Sequence, residues 1–446
     1  MVLKNDKGLI QDMTYEDILQ KINKYLPIRK KEKDENGEVF TPYILVNDML
    51  SKIPNSKWKD PYSKWLDPAN GIGNFPMIVY KKLMNSLNKI KVSSGNKTFD
   101  LSKESERSSW IIKKMLFMVE LNPRNYMISR KIFGKNANII CGDFLKLTDE
   151  RFDEKFGIQK FDVIIGNPPF NKGGTGQGGA NAPWYDFVKK VLVLLRNNKS
   201  YLCFVHPPSW RKPESENTKN KGFYELMTRE NCIIYLEIHS LDDGKVFFDS
   251  GTRYDWYILR KGFCSENLTE IKDEIGNISK LNLQDWDFLP NSNYQKIKRL
   301  LKKPDEEGVP VIYSRTNYGS DKKWTQEEKT KEFKYPLIHT TPKNGPRYYY
   351  SNKIEDHNTM FGIPKVIFGD SGISDVIIDI TGEYGLTNHA IGIKVKDIEE
   401  AKILKKKLES NFFNEILNSL CYSQYMIDWR IFSHFKKDFY NSISPA

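Results

Sequence analysis

Short apolar runs alternate with stretches of helical periodicity over the first 260 residues. Lys64-Trp65-Leu66 reads as a strand running into Asp67-Pro68-Ala69-Asn70-Gly71-Ile72-Gly73-Asn74-Phe75, and an apolar helical stretch follows from Pro76 to Leu87. Met115 to Val119, ending in Glu120, and Asn138 to Gly142, ending in Asp143, read as the next strands. Phe161 to Ile165 is a fourth, stopped by Gly166 and two prolines. Phe187, Val188, Val191, Leu192 and Leu195 recur at helical spacing, Tyr201 to Val205 is a strand ending at His206-Pro207-Pro208-Ser209-Trp210, and Ile233 to Ile238 and Tyr254 to Leu259 close the sheet. Strands alternating with helices predict an α/β fold with a mostly parallel sheet. The stretch from about Asn88 to Trp110 reads as a surface insertion because of its Lys, Ser, Asn and Gly content. Lys30 to Glu38 reads as a solvated linker.

The strand ends carry the candidate chemistry. Gly71 and Gly73 let a backbone pass close to a ligand, and in open α/β sheets ligands sit beyond the carboxyl ends of the strands. The third glycine of a dinucleotide fingerprint is missing, and Asp67 suits a cationic group better than a pyrophosphate. Glu120 is placed to accept from ribose hydroxyls, and Asp143 with Phe144 suits an adenine amine and ring face. Each acid taken singly reads rather as an ordinary loop-facing carboxylate.

Asn167-Pro168-Pro169-Phe170 follows the fourth strand. The prolines lack N–H donors and restrict their neighbours, so the Asn167 amide oxygen and the Pro168 carbonyl can be aimed at one amino group. An exocyclic amine that donates both hydrogens is free to pyramidalise and attack a methyl sulfonium in line. Phe170 offers a face on which a base can stack. On these four residues alone a Pro-rich turn after a strand fits as well.

Taken together these motifs resemble the S-adenosylmethionine-dependent DNA adenine-N6 methyltransferases, in the gamma motif order of Eco57I-like restriction-modification enzymes. The resemblance covers about the first 260 residues. It implies a Rossmann-like methyltransferase sheet domain over residues 1–265 and a C-terminal α+β target-recognition domain over residues 266–446. It further implies Asn167, Pro168, Pro169 and Phe170 as catalytic residues. Asp67, Ala69, Asn70, Gly71, Gly73, Glu120, Asp143, Phe144 and Asn167 would form the cofactor site, with Phe40, Thr41 and Pro42 carried over beside the methionine end. Asn70 stands where the family usually has a small or sulfur-bearing residue. Phe247 and Phe248 are candidates for the far wall of a base pocket, with core packing as the alternative. The implied cofactor is S-adenosylmethionine, without a metal, and the implied partner is double-stranded DNA, with a separate restriction endonuclease as a further candidate. The same tetrapeptide also serves enzymes that methylate a protein glutamine amide or an amino group in RNA. Cytosine-N4 enzymes more often show Ser at the position of Asn167. A non-catalytic DNA-binding module that retains the fold is the alternative from another class.

Composition narrows this further. The formal net charge of +12 fits a polyanionic substrate. Lys172, Trp210, Lys343, Arg347 and Lys365 are the candidate DNA contacts, the last three from a second folding unit that 446 residues leave room for. The glycine-rich stretch Asn171 to Ala180 reads as a mobile lid, and it lacks the Lys-Ser/Thr pair of a phosphate loop. Five cysteines without a C-x-x-C pair and six scattered histidines argue against structural zinc or a disulfide framework, and suggest a reducing, cytoplasmic setting. No apolar run approaches a membrane span and no signal-peptide core is present. The 40 residues before Thr41 are too few for a nuclease domain.

Overall fold

A computed structural model of the chain describes residues 41–171, 182–214, 219–264, 268–354, 359–423 and 426–443. Phe40, Lys172, the rest of the glycine-rich stretch and the Lys30 to Glu38 linker lie outside the described residues.

Two compact units divide the chain, one of residues 1–208 and 214–286, the other of 209–213 and 287–446. The first is built on nine strands: β1 (Trp65–Asp67), β2 (Leu116–Glu120), β3 (Asn138–Cys141), β4 (Val163–Gly166), β5 (Tyr201–His206), β6 (Cys232–His239), β7 (Tyr254–Arg260), β8 (Thr269–Lys272) and β9 (Ile278–Leu281). Their spatial order is β9-β8-β6-β7-β5-β4-β1-β2-β3. Strands β3, β2, β1, β4 and β5 are parallel, and β7 runs antiparallel between β5 and β6. The order reverses between β1 and β4, which opens a crevice at the ends of those two strands.

β1 is three residues long and buried throughout, as the centre of a sheet covered on both faces must be. Helix α1 (Tyr43–Ser51) buries Leu45, Val46, Met49 and Leu50, and helix α2 (Asn74–Ser86) buries Met77, Ile78, Val79 and Leu83 in the same core. Helix α3 (Pro183–Leu194) starts with Pro at its first position, where a missing N–H costs nothing, and buries Phe187, Val188, Val191 and Leu192.

The insertion after α2 is more regular than its composition suggests. Residues Lys91–Ser94 and Lys97–Asp100 pair as a hairpin about Gly95, whose φ of 58° suits a tight turn. Phe99 and Tyr62 then close on the Trp110 ring at 5.3 and 6.0 Å. The sheet unit also runs further than residue 265. β8 and β9 add two strands beyond β6, so the division falls after Trp286. Cys232 and Cys264 are joined as a disulfide across 5.5 Å between Cα atoms, a pairing 32 residues apart that the cysteine spacing did not indicate. No described helix is long and apolar enough to cross a membrane.

The second unit contains two four-stranded sheets. One holds Val311–Ile312, Ala390–Lys394, Lys365–Gly369 and Ile377–Asp379, the other Thr325–Gln326, Arg347–Ser351, Tyr335–Thr340 and Gly385–Leu386. Lys343 and Arg347 are exposed at the tip of the hairpin joining Tyr335–Thr340 to Arg347–Ser351. Lys365 is not a surface phosphate ligand. It is 0% exposed, and its ammonium donates to Met360 O, Ile363 O and, at 2.6 Å, to Asp379 Oδ2. Asp379 also accepts from the Glu383 and Tyr384 amides. Lys365→Ala strands that carboxylate and is expected to destabilise the unit by about 3–5 kcal/mol in denaturant titration. A loss of DNA affinity with unchanged stability would restore the surface role. Trp210 is likewise only 2% exposed, packed in the second unit rather than presented to a ligand.

Candidate active site

The crevice between β1 and β4 gathers most of the candidate residues. Asp67 ends β1 with its side chain 2% exposed. Its Oδ1 accepts from the Ala69 amide at 3.0 Å, while Oδ2 is buried with no hydrogen-bond partner among the described residues. Burial, helped by the nearby Glu120 charge and opposed by the Ala69 N–H, pushes its carboxyl up to about 8. A buried carboxylate oxygen lacking a donor is an acceptor waiting for a cation or an N–H from outside the chain.

The loop after β1 is held from β2. Asn70 N donates to Val119 O, and Glu120 Oε2 accepts from the Gly71 amide at 2.6 Å. Glu120 Oε1 accepts from the Asn122 amide at 2.7 Å, so a ribose hydroxyl would share oxygens that already shape the loop. Gly71 and Gly73 have φ of 56° and 98°, and a Cβ on Gly73 would lie 2.9 Å from Phe133. Asn70 fits because its amide nitrogen donates to Ser129 Oγ at 2.7 Å and to Gly71 O. Thr41, which precedes α1, is buried, and its carbonyl accepts from Asn74 Nδ2 at 3.0 Å. The Thr41-Pro42 segment is thereby tied to the start of α2, beside the glycine loop.

At the end of β3, Asp143 caps a short turn by accepting from the Leu145 amide. Lys190 holds the same turn, donating to Phe144 O, Leu145 O and Leu147 O. The expectation for Phe144 needs correcting. It is 2% exposed, with Phe187 at 5.1 Å and the Lys190 ammonium over its ring, and offers no face to a ligand in this conformation.

Asn167 leaves β4 directly beside Asp67. Gly166, at φ 148°, is the hinge, and a Cβ there would sit 2.9 Å from Asp67 Oδ1 and 3.7 Å from Phe204. Gly166→Ala is expected to cost about 1–3 kcal/mol through the forced backbone and this close approach. Urea unfolding checks it, and a variant as stable as the parent would show that the turn tolerates a side chain. Pro168 is buried, whereas Asn167, Pro169 and Phe170 are half-buried. The Phe170 ring meets Phe248 edge to face at 5.9 Å, so of the two phenylalanines considered as a wall it is Phe248 that faces the tetrapeptide.

Two neighbours at this sheet end were not singled out by the sequence. Tyr254, opposite His239 across β6 and β7, stacks on that imidazole at 4.3 Å and meets Phe248 at 4.8 Å. Its hydroxyl is buried without a hydrogen-bond partner. Their ring types suggest core packing, and only the strand pairing brings them to the site. His206 is excluded from proton transfer. It is stacked on Trp184 at 4.0 Å, and burial pushes its imidazole down to about 3. Nδ1 donates to Pro207 O and Nε2 accepts from the Tyr257 hydroxyl, each at 3.0 Å.

Residues 83–247 match the model of the Eco57I restriction-modification methylase family, a span that holds Asn167 to Phe170 and starts after the glycine loop. An uncharacterized adenine-specific methylase of Mycoplasma pneumoniae is 24% identical over 307 residues, covering 51% of this chain and 66% of that one. The chain therefore spans just under two thirds of the length of that curated relative. Among solved structures, the Type IIL restriction-modification enzyme MmeI in complex with DNA superposes with a TM-score of 0.58 at 11% identity, over 91% of this chain and 69% of that chain. A nuclease-deletion mutant of the Type ISP enzyme LlaGI, in complex with a DNA substrate mimic, gives 0.54 at 14% identity over 90% and 53%. The chain thus shares the α/β fold of these two restriction-modification enzymes.

Proposed function

We propose that the chain is an S-adenosylmethionine-dependent DNA adenine-N6 methyltransferase, the modification component of a restriction-modification-like system. One observation carries the reading. The Asn-Pro-Pro-Phe turn leaves β4 against Asp67, the buried carboxylate that ends β1, so an amine-orienting group and a cation-accepting group share one crevice. The family match over the same turn and the adenine-specific relative support the chemistry. The DNA in the two solved neighbours supports the substrate.

In this reading Asp67, the Gly71 to Gly73 loop, Glu120 and Asp143 hold the cofactor, which supplies an electrophilic methyl group when bound. An adenine leaves the stack at a cost of a few kcal/mol, offset by stacking on Phe170 and by phosphate contacts. Asn167 Oδ1 and Pro168 O accept from N6 and orient its lone pair. Transfer is direct, so no nucleophilic cysteine is required. The exposed Lys343 and Arg347 make their hairpin the candidate reader of the target, with a separate endonuclease as the expected companion.

The test is incubation with radiolabelled S-adenosylmethionine and either mixed-sequence duplex DNA, total RNA or a protein extract, followed by digestion and product identification. N6-methyladenine in DNA is the expected product. Label confined to RNA or to glutamine would move the substrate while keeping the fold.

A further inference from the structure

The end of the sheet opposite the candidate site has a chemistry of its own. Strands β1, β2, β4 and β5 start at Trp65, Leu116, Val163 and Tyr201, which are neighbours in register, and antiparallel β7 finishes beside them, with Arg260 opposite Tyr201. The residues just outside those positions are Lys64, Lys114, Lys160, Lys199 and Lys261, with Arg196 between them.

Hydrogen bonds tie this rim together. Lys64 Nζ donates to Lys114 O at 2.6 Å, Arg196 Nη2 to Lys160 O at 3.2 Å and Lys261 Nζ to Leu195 O at 2.7 Å. Two carboxylates act on the group. Asp162 accepts from the Lys64 amide and from Arg196 Nε, and Asp60 lies near Lys64. Six cations against two anions leave a clear excess, and the crowding is felt. After burial, which is the largest cause, Asp162 raises Lys64 while Lys114 and Arg196 lower it, and Lys160 lowers Lys261. Mutual repulsion of this kind is relieved when a polyanion docks.

The surroundings favour nucleic acid over a protein as the occupant. A specific protein interface needs an apolar centre. The exposed large hydrophobics close to this rim, Tyr62, Val193 and Phe263, do not adjoin one another in sequence, and the leucines on either side of Val193 are buried. Phosphates ask only for exposed, mobile cations, and Lys114, Arg196 and Lys199 are exposed. The rim and the crevice lie at opposite ends of the parallel strands, which at β1 and β4 are three and four residues or roughly 10–13 Å long, and so they open in opposite directions. A straight duplex at one end does not reach the other.

We propose that this N-terminal rim of the sheet is a second, sequence-independent site for duplex DNA, which holds a segment other than the one presented for reaction. It does not depend on the methyl-transfer reading, because it can be measured without cofactor or target sequence.

The experiment compares the parent chain with a Lys114→Gln/Arg196→Gln/Lys199→Gln variant, which removes the three exposed rim cations and leaves the catalytic crevice untouched. Fluorescence anisotropy of a 40-base-pair duplex is followed across a salt series. Losing three phosphate contacts is expected to reduce the slope of log affinity against log salt by about 2.7, with at least a tenfold loss of affinity at low salt. The melting temperature should stay within a degree or two of the parent's. Identical slopes and affinities in the two proteins would overturn the proposal. So would a variant that loses polyglutamate binding while keeping duplex binding, which would assign the rim to an acidic protein.

Discussion

Asn167→Ala is expected to abolish methyl transfer to DNA while cofactor affinity stays within a few-fold of the parent. The amide oxygen is one of two acceptors in the proposed mechanism, and it acts only as the amine pyramidalises. Its removal therefore falls on the transition state rather than on binding. Deletion of one such preorganised polar group costs on the order of 10²–10³-fold in turnover, and the rigid Pro168-Pro169 turn gives no neighbour the freedom to replace it. Single-turnover methylation together with calorimetric titration of the cofactor separates the two quantities. Normal turnover would remove Asn167 from the mechanism. A parallel collapse of cofactor binding would make it a cofactor ligand instead.

Asp67→Asn should act in opposite directions on stability and on binding. The Asp67 carboxyl titrates at about 8 in the folded chain because burial disfavours its charge, whereas an unfolded aspartate titrates near 4. The folded state therefore keeps a proton that the unfolded state sheds. The contribution of this group to stability is fully present below about pH 4, falls as pH rises and is lost by about pH 8. Asparagine cannot ionise, so the variant should lack this decline and gain relative stability at pH 8, by an amount on the order of 5 kcal/mol at most. Glu120, the neighbouring carboxylate, adds to the same trend. Cofactor affinity should fall, since a cation loses its counter-charge. In the parent, binding below pH 8 should release a proton from Asp67, visible as calorimetric heats that depend on the buffer. Parallel pH–stability curves for both proteins would refute the buried-acid account.

Legibility in the sequence followed the strand ends. Asp67, Glu120 and Asn167 could be read because a short buried strand that stops at glycine or proline leaves its last polar residue at the sheet edge, whatever the rest of the fold does. Side-chain direction was not legible in the same way. Phe144, Trp210 and Lys365 have residue types that suit ligands, and all three are buried. A lysine stem sits in a core once an acid such as Asp379 is there to meet it, and that partner lies 14 residues away on a neighbouring strand. Lys190 and Tyr254 were missed for the converse reason. Each lies in an element that reads as core, and each reaches the site region through tertiary pairing. The late boundary at Trp286 has a similar origin, because β8 and β9 are too short and polar to announce which sheet they join.

The five residues 209–213 bear on how such proteins can be recombined. They belong to the second unit although they lie within the sequence of the first, and the buried Arg211 guanidinium donates there to Leu289 O, Pro290 O and Asn291 Oδ1. A chimera cut once near residue 286 would leave this arginine facing a foreign segment, with its side-chain acceptor Asn291 replaced and its two backbone acceptors repositioned. Grafts that carry Ser209 to Pro213 along with the C-terminal part keep that hydrogen-bonded set whole. The second unit is thus built from two pieces of chain, and single-crossover exchange is expected to give less stable chimeras than a graft that carries both.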